Sequence, residues 1–326
     1  MGRKKISFEG IGELPFIWEE EERQPMHRSV YDRMVVSVPK PEVANSDGLL
    51  YYISFGSGSS GNSSYIGTSE GGIIIDAGVK ADEIEARIRA NGIDIKKVHG
   101  VLLTHDHSDH IKYAYTLVRN NRHMKVYCTN RVMNSILRHH NISKRIKDYH
   151  IAIFKEIPFR SGELEITAFE VPHDGTDNMG FSVAFRDRNF VLATDMGEVQ
   201  TRARHYMSQA DYLVIESNYD LQMLRYGRYP EFLKARIQTS IGHMDNTATA
   251  AFLKEIYTPR LKHIFLCHLS KDNNTPEKAL QAVRAALEEA GAKVGEGMET
   301  ISDREADVQL VALPRYDATR LYVFRT

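Results

Sequence analysis

One run of this chain, Thr104-His105-Asp106-His107-Ser108-Asp109-His110, gathers the residues best able to do chemistry. It follows the apolar stretch VLLT and opens a helical pattern. A strand end followed by a tight loop projects His105 and His107 toward one point, while Asp109 and His110 begin the helix and face a second point close by. Three imidazoles and the Asp109 carboxylate within six residues are the nitrogen and oxygen ligands that Zn2+ or Mn2+ accepts. A polar turn in which Ser108 or Asp109 caps the helix explains one of these side chains. It does not explain histidine at this density.

The elements that must position this run are legible around it. From Leu49 the pattern is short strands broken by glycine turns, LLYYISF, SSYIGT and GIIIDAG, a β-meander. ADEIEARIRANG then reads as a helix, VHGVLLT as a buried strand, HIKYAYTLVRN as a helix, MKVYCT as a strand and RVMNSILRHHN as a helix. LEITAFEV, FSVAF, FVLATD, DYLVIES and HIFLCH follow as strands, and PEKALQAVRAALEEAG as a final helix. Strand pairs followed by alternating helices predict an α/β chain, an αββα sandwich of two mixed β-sheets with helices on the outer faces. Residues 49–326 form that domain. Residues 1–48, with a basic start, the acidic run Glu19 to Glu22, scattered prolines and the single tryptophan Trp18 beside Phe16 and Ile17, are expected to be a partly ordered or docking appendage.

Bulk properties limit the partners. With 42 Lys+Arg against 43 Asp+Glu in 326 residues the net charge is −1, so any nucleic-acid patch must be local. The two cysteines, Cys128 and Cys267, stand in apolar contexts far apart, which predicts reduced core thiols and a cytoplasmic setting. The start MGRKKISFEG lacks the apolar stretch of a signal peptide, and no run of apolar residues is long enough to span a bilayer, so no membrane association is expected.

The pattern His-x-His-x-Asp-His after an apolar strand resembles the signature of the metallo-β-lactamase superfamily, and further polar residues close apolar runs in the superfamily's order: His173 in VPHDG, Asp195 in VLATDMG and His268 in IFLCHLS. The resemblance implies that His105, His107 and His173 hold one divalent metal ion, that Asp109, His110 and His268 hold another, and that Asp195 bridges them. Two such ions, Zn2+ or Mn2+, lower the pKa of a shared water and suit phosphodiester hydrolysis. The superfamily's β-lactamases typically place a cysteine where Asp195 stands, which argues against antibiotic hydrolysis. SFGSGSSGNSSYI, ATDMG, ESNYD, MLRYGRYP, GHMDN and HLSKDNNTPE further resemble the YycJ/WalJ branch, cytosolic members associated with exonuclease action on double-stranded DNA. That likeness runs from Leu49 to about Ala290. It marks Asp109, Asp195 and His243 as catalytic candidates, His243 also as a phosphate contact.

Other segments face the substrate by composition. The turn Gly56 to Gly61 offers backbone amides to a phosphate, with Ser57, Ser59, Ser60 and Asn62 as candidate contacts, although a flexible turn between strands explains it equally well. YDLQMLRYGRYPEFLKAR interleaves Arg225, Arg228 and Arg236 with Tyr226, Tyr229 and Phe232, a mixture suited to a phosphate backbone and stacked bases, the alternative being a solvated helix face. Glu216 falls where transfer-RNA-processing members place the glutamate of a His-Glu-Ala-Thr motif, yet Ile215 replaces the histidine, and Glu216 also reads as a buried strand-end carboxylate that bonds a ligand or a loop. The expected activity is binuclear-metal phosphodiester hydrolysis on nucleic acid, DNA before RNA. The alternatives are a small-molecule hydrolase of the glyoxalase II thioesterase or small phosphodiesterase kind, and a non-catalytic module that the metals merely stabilise. The sequence leaves the oligomeric state open.

Overall fold

The computed structural model describes residues 47–297 and 305–325. The appendage expected over residues 1–48, with Phe16, Ile17 and Trp18, lies outside the described residues up to residue 46. Two mixed sheets form the frame. The first runs, in spatial order, β15 (Tyr322–Arg325), β1 (Leu49–Gly56), β2 (Ser63–Thr68), β3 (Gly71–Ile75), β4 (Val98–Leu102), β5 (Lys125–Cys128) and β6 (His150–Ala152). The second runs β13 (Val294–Gly295), β14 (Val308–Ala312), β12 (His263–Cys267), β11 (Tyr212–Glu216), β10 (Arg188–Ala193), β9 (Met179–Phe185), β8 (Leu164–Glu170) and β7 (Phe159–Ser161). Each sheet is antiparallel on one side and parallel on the other: β3, β4, β5 and β6 run parallel, as do β10, β11, β12 and β14.

Alternation along the strands divides the core into layers. Phe190 and Leu192 on β10, Tyr212 and Val214 on β11, and Phe265 and Cys267 on β12 point between the sheets. Their neighbours Val191, Ala193, Leu213, Ile215, Ile264 and Leu266 face the other way, onto α5 (Thr201–Met207), α8 (Asn246–Ile256) and α9 (Pro276–Glu289). Across the inner layer Tyr52 of β1 meets Phe190 and Phe265 at ring centroid distances of 4.9 and 5.0 Å. On the first sheet's outer side lie α1 (Ala81–Ala90), α3 (Ala114–Asn120) and α4 (Asn130–His139). The αββα sandwich expected from the strand and helix alternation is the architecture observed.

Two local departures matter. The helix read over HIKYAYTLVRN is two pieces, α2 (Ser108–Ile111) and α3, parted at Tyr113 (φ −110°, ψ 6°). The carbonyl of His110 accepts from the Ala77 N–H at 2.7 Å and the carbonyl of Ala77 from the Tyr113 N–H at 2.8 Å, so the segment after β3 takes the bonds that would continue the helix. In addition, β14 and β15 were not expected as strands. Tyr322 and Phe324 of β15 are buried and Val323 and Arg325 exposed, and the strand pairs antiparallel with β1, beside the chain's first described strand. Among the described residues no helix is long and apolar enough to cross a membrane.

Candidate metal centre

The centre forms where parallel strands end together, the position at which open α/β sheets usually present their chemistry. β4 delivers the loop Leu103 to His107, β8 leads to His173, and β10, β11 and β12 end at Asp195, Glu216 and His268. Asp76 after β3, Asp195 after β10 and His268 after β12 all have left-handed backbones, at φ 59°, 50° and 55°. Left-handed conformations in non-glycine residues cost energy and gather at functional sites. Here each turns a polar side chain back across the strand ends.

His105, His107 and His173 place one ligand atom each within 4.8 Å of the others. His173 Nδ1 bonds the Gly242 carbonyl at 3.0 Å, which leaves Nε2 facing His107 Nδ1 at 3.3 Å. His105 is buried, and its Nε2 has no hydrogen-bond partner. Burial pushes the His105 imidazole well below its ordinary pKa and also lowers that of His107. Neutral rings with converging lone pairs are what a divalent cation requires. The donor set fits a metal.

A second set lies alongside. Asp109, His110 and His268 form one group, His105, His110 and Asp195 another, and Asp195, Glu216, His243 and His268 a third, each within the same span. Asp195 therefore touches groups on both sides: His110 Nε2 is 2.8 Å from its Oδ2 and His268 Nδ1 is 2.7 Å from its Oδ1. Burial opposes charge on His110, yet Asp76, Asp195 and Asp109 hold it well above the usual imidazole range. Burial likewise opposes charge on Asp195, but His268 and His110 hold it well below the usual carboxylate range. His268 Nε2 is buried without a hydrogen-bond partner, 3.8 Å from Asp109 Oδ2, which suits a shared cation between them.

Three carboxylates hold this set in place, of which sequence reasoning missed Asp76 and Asp106, while Glu216 is the buried strand-end carboxylate bonded to a ligand candidate that its position allowed. Asp76 accepts from His110 Nδ1 at 2.8 Å and from the Thr104 N–H at 2.9 Å. Asp106, in the motif but outside the ligand groups, accepts from Ser135 Oγ at 2.5 Å and from the Thr176 N–H at 2.9 Å, tying the loop after His173 to α4. Glu216 is fully buried and accepts from His243 Nδ1 at 2.7 Å, His268 Nδ1 at 2.9 Å and the Met196 N–H at 2.9 Å. The strand-end position of Asp76 and of Glu216 was their only local signal.

The substrate-facing candidates scatter. Ser57 is buried, its Oγ accepting the His268 N–H at 2.9 Å, and Asn62 is buried with Nδ2 3.1 Å from Asp109 Oδ2 and 3.0 Å from His110 Nε2. Both support metal-ligand candidates. Ser59 and Ser60 are exposed. Ser59 lines a cavity of about 210 Å³ with Asn218, Tyr229, Arg236, His243 and His268. Arg236, on α7 (Glu231–Ile237), is bound by Nε and Nη2 to Asp174 at 2.8 and 2.5 Å. Arg225, at the end of α6 (Leu221–Tyr226), is exposed and stacks over Tyr226, and Arg228 is exposed in the next loop. Lys234 is buried and binds the Arg225 carbonyl and Glu231, joining the two helices.

The sequence profile described as the β-lactamase superfamily domain matches residues 72–268, which spans every ligand candidate. The chain belongs to the metallo-β-lactamase superfamily. Within the superfamily it is a protein of the YycJ/WalJ type: it is 36% identical over 250 residues to exodeoxyribonuclease YycJ of Bacillus anthracis, covering 77% of this chain and 94% of that one. It is 32% identical over 245 residues to exodeoxyribonuclease WalJ of Streptococcus pneumoniae strain D39, covering 75% and 90%. Among solved structures, Zn2+-bound PqqB from Methylobacterium extorquens shares the fold, with a TM-score of 0.57 at 16% identity over 85% of this chain and all of that one. This superfamily member is a metal-dependent hydrolase, which sets aside the non-catalytic reading.

Proposed function

We propose that this hydrolase uses two divalent metal ions, Zn2+ or Mn2+, to cleave phosphodiester bonds of DNA, as an exonuclease on double-stranded substrate in the cytoplasm. The observation that carries the proposal is the sharing of Asp195 between two adjacent ligand groups. His105, His107 and His173 hold one ion, Asp109, His110 and His268 the other, and Asp195 lies between. When bound, the ions supply Lewis acidity and a water of lowered pKa. Support for DNA comes from the exodeoxyribonuclease names of two relatives that align over most of their length. Support for the compartment comes from Cys128 and Cys267, which are free and buried.

His243 lines the cavity, and Glu216 occupies its Nδ1, which leaves Nε2 to the substrate. In that position it contacts a phosphoryl oxygen and gives a proton to the leaving oxygen. Glu216 orients it, although Ile215 departs from the transfer-RNA-processing motif.

The test incubates metal-loaded protein with labelled duplex DNA, single-stranded DNA, RNA and a thioester, alongside elemental analysis. Consumption of duplex from its ends, with two ions bound per chain, is expected. Asp195→Ala should abolish it while circular dichroism stays unchanged, since the strands supply the core. Thioester turnover alone, a stoichiometry that never exceeds one, or undiminished cleavage by a folded Asp195→Ala protein would overturn the reading.

A further inference from the structure

We propose that Arg315, in the loop between β14 and β15, is a substrate anchor that holds the phosphate next to the scissile one at the rim of the cavity; this rests on the phosphodiesterase reading above. Nothing in its sequence context marks it. It lies beyond the matched superfamily domain, in a stretch without a motif.

Its placement carries the argument. The side chain packs across Gly58, where a Cβ atom would stand 2.6 Å from Nη1 and 3.2 Å from Cζ, so the guanidinium as placed lies directly over the glycine. Gly58 adjoins Ser57, whose hydroxyl accepts the His268 N–H, and Ser59, which lines the cavity with His243. Arg315 thus lies against the turn that joins the metal centre's framework to the cavity.

The group is a half-buried cation whose guanidinium makes no hydrogen bond or ion pair with any described residue. Its ring contact is Tyr316, at 5.9 Å from the centroid. Burial lowers its pKa, opposed by Tyr316, Tyr229 and Asp272. Asp272 accepts instead from the Tyr229 hydroxyl at 3.1 Å. Arg236, which lines the cavity, is engaged by Asp174, as Arg188 and Arg260 are by Asp211. A partly desolvated charge without an anion is costly, and an arriving phosphate relieves that cost through two parallel charge-assisted hydrogen bonds. The exposed backbone N–H groups of Ser59 and Ser60 also donate to no described residue, so the same turn offers further donors.

The test is a charge-deletion cycle. Duplexes with phosphorothioate ends to slow cleavage, each bearing one neutral methylphosphonate at a different position, are titrated against metal-loaded protein by fluorescence anisotropy. Arg315→Ala should weaken binding of the unmodified duplex about tenfold and reduce its salt slope by about one. Neutralising the phosphate next to the scissile bond should weaken wild-type binding to the same extent and cost Arg315→Ala nothing further. Arg315→Lys, which keeps the charge without the fork, should fall between, and it serves if the alanine variant does not fold. If Arg315→Ala matches wild type in affinity and in its response to every methylphosphonate, the anchor is overturned and the phosphodiesterase reading stands. Wild-type protein that binds no duplex while cleaving a thioester overturns both.

Discussion

Buried carboxylates do at this centre what no metal ligand does for itself. Asp76 fixes one face of His110, and Glu216 fixes one face each of His243 and His268. Such partners set the tautomer and orientation of the imidazoles they hold, and losing one typically lowers metal affinity or activity by about 10- to 100-fold. Both histidine bonds fall on Oε1 while Oε2 accepts from the Met196 and Met244 N–H groups, so Glu216→Gln keeps the volume and one acceptor but cannot serve both sides. It should therefore lower kcat and metal affinity by about that factor at an unchanged melting temperature, read by metal titration and initial rates. Unchanged rates in a folded variant would reduce Glu216 to a packing residue. The contrast explains what the sequence made visible: His105, His107, Asp109 and His110 are legible because type and spacing repeat within six residues. Asp76 and Glu216 act across 34 and 27 residues of chain, through single carboxylates whose only local mark is a strand-end position. Ser57 and Asn62 were read as substrate contacts from their glycine-rich setting, while the structure shows them bonded to the site's own framework.

At the scale of elements, apolar runs ended by one polar residue located β4, β10 and β12 because burial on both faces gives a parallel strand its continuous hydrophobic pattern. The break between α2 and α3 was not legible, since the bonds that cause it come from residues 77 and 110–113 meeting only after folding. β15 was missed although its alternation is plain, because four residues are too few to separate from a loop. That strand encloses His263 of β12, whose ring lies 5.0 Å from Phe324 and 6.0 Å from Phe265, with Nδ1 enclosed and unpartnered. Burial, aided by the Arg320 charge, lowers the His263 pKa to about 4. The unfolded chain binds this proton at its ordinary value near 6.5 and the folded chain does not, so stability is lost as pH falls from about 6.5 to about 4. The loss from this one group is at most about 3 kcal/mol. His263→Phe should remove that part of the acid sensitivity, seen by urea unfolding at pH 7, 5.5 and 4.5. Equal losses in both proteins would mean that other groups govern the acid limb.

For the whole molecule the deciding quantity is charge. A net charge of −1 gives no field to gather DNA from a distance, so on the proposed reading affinity depends on a few local cations. The basic segment supplies fewer of these than its composition promised: Lys234 is buried in joining α6 to α7, and Arg236 is bound to Asp174. Arg225 and Arg228 remain exposed and free to meet phosphate. Each phosphate contact contributes a slope of about −0.9 to the logarithm of affinity against the logarithm of salt concentration. A small contact number predicts a shallow salt dependence for the wild type. Replacing Arg225 and Arg228 together by alanine should flatten it by up to about two and raise KM for duplex DNA, leaving kcat within about twofold, because the ligand groups at the strand ends are untouched. Affinity titrations across a salt series, with kcat and KM measured in parallel, separate the possibilities. An unchanged slope would make this surface a solvated helix face, as the composition equally allowed, and a fall in kcat instead would assign the two arginines to holding α6 over the cavity rather than to the DNA.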